Sequence, residues 1–116
     1  YNQITDIPIL QNLEKLYCMN NQITFINILP NLKLLNCQNN QLISIPILPN
    51  LNILACQNNQ LTSIPVLPNL TSLSCKNNQI TIIPNLPKIE YIECDDNVIR
   101  QKITPPNPFG FAFPAF

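Results

Sequence analysis

The chain has 116 residues and a formal net charge of zero, and only 10% of its residues are charged. This balance excludes the basic field that attracts nucleic acid or an acidic membrane surface. Its 46% of hydrophobic residues are enough to build a core, yet no run approaches the roughly 20 consecutive apolar residues of a membrane helix.

The sequence repeats with a period of 19 residues from its first positions onward. A partial unit, NQITDIPI, starts at Asn2, and full units start at Leu10, Leu29, Leu48, Leu67 and Leu86. A fixed period near 20 residues predicts a solenoid, in which each unit buries its apolar face only by stacking on its neighbours. Because the first residue is not Met, we interpret the chain as a mature product or a fragment of a longer protein, and we favour the fragment because the repeat is already under way at residue 2.

A short strand is the first element of each unit. In the second full unit, Leu32, Leu35, Cys37 and Leu42 follow the spacing L-x-x-L-x-C-x-x-N-x-L. The segment from Leu35 to Cys37 alternates apolar and polar residues, which predicts a strand with Leu35 and Cys37 pointing inward. Repetition then predicts five such strands side by side in a parallel sheet on the concave face.

An asparagine ends each predicted strand. A buried turn leaves backbone groups that need partners, and a short amide side chain supplies both donors and an acceptor. We therefore predict a hydrogen-bonded ladder rather than the alternative, a set of solvated turn residues, because an apolar position follows two residues later. The members of this ladder are Asn2, Asn21, Asn40, Asn59, Asn78 and Asn97.

Prolines mark the return path to the next strand. The path from the second unit into the third contains Ile45-Pro46 and Leu48-Pro49, and the pattern recurs one unit later as Ile64-Pro65 and Leu67-Pro68. Proline fixes φ, removes a donor and disfavours helix at the preceding residue. The convex side is therefore predicted to be extended or polyproline-like, with little or no α-helix and with Ile45 and Leu48 turned inward.

Five cysteines stand one period apart, at Cys18, Cys37, Cys56, Cys75 and Cys94. Zinc sites cluster four ligands around one ion, whereas these sulfur atoms would form a line, and the chain has no histidine. Disulfides between neighbouring strands are an alternative that strand spacing alone does not exclude. We interpret the cysteines as small buried core residues in a reducing compartment, and we expect neither a metal nor another cofactor.

The segment L-x-x-L-x-[L/C]-x-x-N-x-L resembles a leucine-rich repeat over residues 2 to about 99. The short unit with L-x-x-[I/L]-P-x-L-P resembles the 20-residue class of the secreted bacterial effectors YopM and IpaH, although it is one residue shorter. Cysteine followed by x-N-N-Q-L-T resembles short repeats of large DNA viruses and some bacteria. The resemblance implies a leucine-rich repeat solenoid whose concave face binds a protein partner, and an array that can be attached to another functional domain.

Residues that alternate with the inward positions should line the concave face. We predict that the partner-binding residues are Lys15, Tyr17, Met19, Leu34, Asn36, Gln38, Ile53, Gln57, Lys76, Tyr91, Glu93 and Asp95. Among them Tyr17, Met19, Leu34 and Ile53 form an apolar-aromatic patch of the kind favoured in interface cores. The alternative is a scatter of exposed apolar residues with no special role.

The fifth unit departs from the pattern by replacing Gln-Asn-Asn with Asp95-Asp96-Asn97. With Glu90 and Glu93 nearby, these carboxylates could attract a basic partner or hold Ca²⁺, but their spacing is not that of an EF-hand loop. We instead predict a solvated terminal edge, since charge on an end strand discourages edge-to-edge aggregation. Lys76 is expected to pair with Asp95 across the sheet.

We divide the chain into a repeat array, residues 1–103, and a tail rich in Pro and Phe, residues 104–116. Solenoids need a cover over their terminal core, so a tail that folds back on the last repeat is one interpretation. An extended aromatic peptide that docks into a partner is the second. The third is the truncated start of a further domain.

The sequence contains no histidine, no glycine-rich phosphate loop and no nucleophile beside an evident base, so we predict that the chain is not an enzyme. We predict a cytoplasmic protein–protein interaction scaffold that contacts neither nucleic acid nor membrane. Host cytoplasm and a viral particle are both compatible with this prediction. The alternative is a structural or assembly protein, such as a viral particle component, that packs on copies of itself through its surface and aromatic tail.

Overall fold

The computed structural model describes residues 3–96 and 98–100 of the chain. Its strands are β1 (Lys15–Tyr17), β2 (Leu34–Asn36), β3 (Ile53–Ala55), β4 (Ser72–Ser74), β5 (Ile82–Ile83), β6 (Tyr91–Glu93) and β7 (Ile99–Arg100). Five of them form one parallel sheet in the order β1-β2-β3-β4-β6, which confirms the predicted solenoid. Across the described ranges every element is a strand, a turn or an extended segment, and none is a helix.

The register of the sheet follows the period of the sequence. Leu16 lies beside Leu35, Leu35 beside Leu54, and Leu54 beside Leu73. Each of these leucines is the central residue of a three-residue strand and therefore points to the opposite face from its two neighbours. The inward direction of Leu35 and Cys37 is confirmed, since both side chains are fully buried.

The core is a column of equivalent layers between the sheet and the return path. In the second unit Leu32 and Leu42 have no exposed surface and Ile45 is 6% exposed, and Leu48 at the start of the third unit is also fully buried. Fully burying one such side chain stabilises a fold by roughly 1.5–3 kcal/mol. Because every unit contributes the same set, the array is stabilised layer by layer, and the two terminal layers are the least covered.

The return path is extended, as predicted, but the last two return segments that the structure describes also pair with each other as short strands. Strand β5 runs parallel to β7, with Ile82 beside Ile99 and Ile83 beside Arg100. Earlier return segments have Ser44 and Ser63 where the fourth unit has Ile82, and β-branched residues favour strands. The fifth unit also lacks the proline that follows this segment in the three units before it. The pairing was not predicted because we considered the prolines alone.

Several predictions from the sequence lie outside the described residues. They are the boundary at residue 103, the tail of residues 104–116, and the ladder positions Asn2 and Asn97. In the part that is described, no helix is long and apolar enough to cross a membrane.

Candidate functional site

We call each strand of the five-stranded sheet, together with the turn that follows it, a rung. Three rows of side chains cross the concave face, and each row contains one residue from every rung. The first row contains Lys15, Leu34, Ile53, Ser72 and Tyr91, and the second contains Tyr17, Asn36, Ala55, Ser74 and Glu93. The third row follows the strand ends and contains Met19, Gln38, Gln57, Lys76 and Asp95. Every concave residue that we selected from the sequence therefore belongs to one of these rows.

The apolar-aromatic patch lies on the first three strands. Leu34 and Ile53 are direct neighbours in the first row, and Tyr17 belongs to the adjoining second row on β1. Tyr17 is 59% exposed and Ile53 is 42% exposed, while Leu34 and Met19 are half-buried. The sheet thus places the four residues on one accessible surface, and which partner they contact stays a prediction.

The middle of the face is polar and incompletely paired. Gln38 Nε2 donates to Asn36 Oδ1 at 2.9 Å, so these two amides hold each other in place. In the next rung Ala55 occupies the position of Asn36 and offers no acceptor to Gln57. Gln57 Oε1 is buried and accepts no hydrogen bond from the described residues.

The C-terminal end of the face carries the carboxylates. Tyr91 Oη donates to Glu93 Oε2 at 3.4 Å, and the backbone N–H of Asn77 donates to the Asp95 carboxylate at 3.1 and 3.3 Å. The predicted ion pair between Lys76 and Asp95 is wrong, because the Asp95 carboxylate is turned toward the turn at Asn77. Among the described residues the one ion pair joins Lys33 Nζ to Glu14 Oε1 at 3.3 Å.

A shallow pocket at this end is lined by Lys76, Ile92, Glu93, Cys94, Asp95, Asp96 and Val98. Within residues 3–96 and 98–100, no group of three or more acidic, cysteine or histidine side chains is arranged to hold a metal ion. The calcium alternative therefore has no geometric support in the described part of the chain.

The parallel strands, the repeated inward leucines and the extended return together define the architecture. The fold is a leucine-rich repeat solenoid. Residues 30–69 match a family model described as leucine-rich repeats in two copies, and this span covers most of the second and third full units. No match was found among curated proteins. Leucine-rich repeats generally mediate protein–protein interaction, and solenoids of this kind are typically non-enzymatic scaffolds.

The turns of the leucine-rich repeats contain a ladder of asparagines, of which Asn40 is buried and Asn21, Asn59 and Asn78 are partly buried. Asn40 Oδ1 accepts from Ile23 N at 3.0 Å, and Asn40 Nδ2 lies 3.0 Å from Cys18 O and 3.1 Å from Cys37 O. Each amide therefore joins its own rung to the preceding one. Asn59 and Asn78 make the same contacts one and two rungs later, and Asn21 binds Ile4 N and Cys18 O.

A second asparagine ladder, which we did not predict, lies immediately beside the first. Asn39 Nδ2 donates to Asn20 Oδ1 at 2.6 Å, Asn58 to Asn39 at 2.6 Å, and Asn77 to Asn58 at 2.8 Å. These four residues all have positive φ, between 57° and 61°, a region that asparagine tolerates better than most residues. The repeated Asn-Asn pair was the available signal. The second asparagine of each pair hydrogen-bonds to the backbone of the turn, and the first adopts the positive φ of the turn.

The second ladder stops at the fifth full unit. Asp96 occupies the repeat position of Asn77 but is not among the positive-φ residues, and a carboxylate has no amide hydrogen to donate to Asn77 Oδ1. The backbone N–H of Asn58 binds Lys76 O, whereas that of Asn77 binds the side chain of Asp95. The replacement of the repeat residues by Asp95 and Asp96 thus changes the structure of the turn as well as its charge.

Four of the five cysteines are buried free thiols, namely Cys18, Cys37, Cys56 and Cys75. Burial raises the pKa of Cys18 to about 11 and that of Cys75 to about 12, and it raises the pKa of Cys37 and Cys56 well above the ordinary value for a thiol. Cys56 Sγ lies 3.4 Å from Ser74 O and donates to it. Such thiols stay protonated near neutral pH and are poor nucleophiles.

Cys94 does not fit the prediction of a uniformly buried row, since it is only partly buried. It directly follows β6, the last strand of the sheet in the described part of the chain, and lines the shallow pocket together with Ile92 and Val98. The cysteine at the end of the array is therefore the one whose environment differs from that of the others.

Proposed function

We propose that the concave sheet face of this solenoid binds a protein partner. The observation that supports the proposal is that residues on this face change from rung to rung, whereas one exposed row beside the turn is nearly constant. The first concave row reads Lys, Leu, Ile, Ser, Tyr across the five strands. By contrast, the exposed row on the turn side contains glutamine in the partial unit and the first four full units, at Gln3, Gln22, Gln41, Gln60 and Gln79.

The contrast is informative because stacking makes the same demands on both rows. A side chain that points into solvent is not selected by core packing, so repetition of the unit should leave both rows equally uniform. Divergence of the concave rows is what a partner with a non-repeating surface would require. Tyr17 and Met19, at one end of the face, are residue types enriched in interface cores.

The resemblance to bacterial effector repeats supports a narrower proposal, in which this array recognises the target of a separate functional domain. The chain then contributes recognition rather than chemistry. Buried protonated thiols at Cys37 and Cys56 suit the reducing cytoplasm that we propose for this function.

A matched pair of variants tests the main proposal. Proteins captured by the immobilised chain are identified by mass spectrometry, and the affinity of the purified partner is measured by calorimetry. We expect Tyr17→Ser combined with Leu34→Ser to weaken binding at least about tenfold, because aromatic and apolar anchors dominate interface energies.

The control is Gln41→Ser combined with Gln60→Ser, two exposed residues on the turn side, which should leave the affinity unchanged. The proposal fails if both double variants bind equally well, or if only the glutamine variant loses the partner. A second candidate function, assembly with copies of the same chain, is favoured by a separate observation on the return side.

A further inference from the structure

We infer that a row of exposed aliphatic side chains on the return side joins two copies of this chain. The row consists of Ile9, Ile28, Ile47 and Val66, which occupy the same position in four successive units. Their exposed fractions are 64%, 61%, 63% and 56%. This aliphatic row is independent of the concave face and of the partner proposed for it.

The fold does not require these residues to be apolar. Each directly precedes a leucine of the repeat pattern, and the leucine that follows Ile47, Leu48, is fully buried. The fourth full unit has Asn85 at the equivalent position, so the repeat accepts a polar residue there. Four aliphatic side chains that the core does not use, aligned on one side, indicate a surface that is covered in solution.

The chemistry of the row favours a second copy as the occupant. No residue of the row is charged, and its neighbours in the chain are prolines, leucines and Asn27. Equivalent side chains recur about every 4.8 Å, the spacing of adjacent strands. A row of near-identical groups at constant spacing looks the same when it is reversed, so two copies related by a twofold axis are complementary.

In that arrangement the twofold axis passes between Ile28 and Ile47, so Ile28 of each copy contacts Ile47 of the other. At the two ends of the row, Val66 of one copy contacts Ile9 of the other.

Part of the backbone beside the row has few groups that need water. Pro46 and Pro65, which precede Ile47 and Val66, have no N–H group to satisfy. Asn50 Nδ2 donates to Pro30 O and Asn69 Nδ2 donates to Pro49 O, both at 2.9 Å. Covering this surface therefore desolvates fewer backbone donors than covering a segment without proline.

The size of the row predicts a weak dimer. Four rungs span about 14 Å, and the contact area is a few hundred Å² per copy, below the roughly 800 Å² of a standard stable interface. Exposed Phe25 and Ile43 on the same return segments add some apolar surface. We therefore expect an equilibrium between monomer and dimer that shifts with concentration.

Sedimentation equilibrium of the full chain, from about 10 μM to about 1 mM, tests the inference. The wild type should pass from monomer to dimer over this range. Ile28→Lys combined with Ile47→Lys should weaken dimerisation at least about tenfold, because it opposes like charges across the axis. The control, Gln41→Lys combined with Gln60→Lys, adds the same charge away from the row and should dimerise like the wild type. Circular dichroism and thermal melting verify that both variants fold.

Three outcomes would overturn the inference. One is a wild type that stays monomeric at about 1 mM. Another is equal loss of association in the control variant. The third is a dimer that forms only after residues 104–116 are deleted, since the occupant would then be the chain's own tail. If the lysine double variant proves unstable, an NMR dilution series of the wild type with labelled isoleucine methyl groups replaces it. The inference requires that the methyl signals of Ile28 and Ile47 shift with concentration.

Discussion

The turn that ends each strand keeps the same residues from rung to rung, whereas the concave face beside it changes them. The turn contains the same Asn-Asn pair in four rungs, each time with the first asparagine at positive φ. The concave rows, only a few residues away in the chain, change their side chain at nearly every rung. The difference separates positions that hold the array together from positions that stacking leaves free to vary.

The turn is uniform because each asparagine binds two rungs at once. Asn40 pairs with backbone groups of its own rung and of the preceding rung, so a change there disturbs two layers. A concave residue such as Ile53 has side-chain neighbours but no backbone group that depends on it. This comparison predicts a graded series of effects on stability.

The largest effect should come from alkaline pH acting on the uniform cysteine row. Burial raises the pKa of Cys37 and Cys56 far above that of an unfolded thiol, so above about pH 9 the unfolded chain ionises while the folded chain does not. Stability is complete below that pH and falls by about 1.4 kcal/mol per pH unit for each such thiol. These two residues together should cost about 3 kcal/mol at about pH 10. Urea denaturation between about pH 8 and about pH 10.5 measures the slope.

The control for this experiment is the double variant Cys37→Ala, Cys56→Ala. It should be less stable near neutral pH, because two buried side chains are truncated, but its stability should fall less steeply above about pH 9. An unchanged slope would show that these thiols do not set the pH dependence.

An effect of similar size is expected for Asn40→Ala. The change removes the acceptor of Ile23 N and the donor to Cys18 O, and it leaves both backbone groups buried without a partner. We expect a loss of about 3 kcal/mol in the free energy of unfolding. Gln41→Ala, at the exposed adjacent residue, should change it by less than about 0.5 kcal/mol. Equal losses in the two variants would contradict the ladder's role.

The sequence predicted what depends on burial and period, and it missed what depends on backbone conformation. The inward direction of Leu35 and Cys37 follows from alternation alone, and the pairing of Asn40 follows from its place beside an apolar position. The ladder through Asn39 requires a positive φ that composition does not reveal. The Lys76–Asp95 pair was inferred from proximity, whereas a backbone N–H at Asn77 competes for the same carboxylate.

A smaller effect is expected at Asn39, where backbone and side-chain contributions can be separated. Asn39→Ala loses the bonds to Asn20 and Asn58 and also places a Cβ-bearing residue at a φ of 57°, for a cost of about 2 kcal/mol. Asn39→Gly loses the same bonds but tolerates the backbone, so it should cost about 1 kcal/mol less than the alanine variant. If glycine is the more destabilising of the two in urea denaturation, the positive φ is not what selects asparagine here.

The smallest effect on stability should come from the concave face itself. Tyr17 is 59% exposed and contributes little to the core, so Tyr17→Ser should change the free energy of unfolding by less than about 0.5 kcal/mol. The same substitution, combined with Leu34→Ser, is expected to abolish most partner binding. Tyr17 on the concave face is thus expected to matter for binding and not for folding, whereas Asn40 in the turn is expected to matter for folding. Should Tyr17→Ser destabilise the array as much as Asn40→Ala does, the variation along the concave rows would reflect packing rather than recognition.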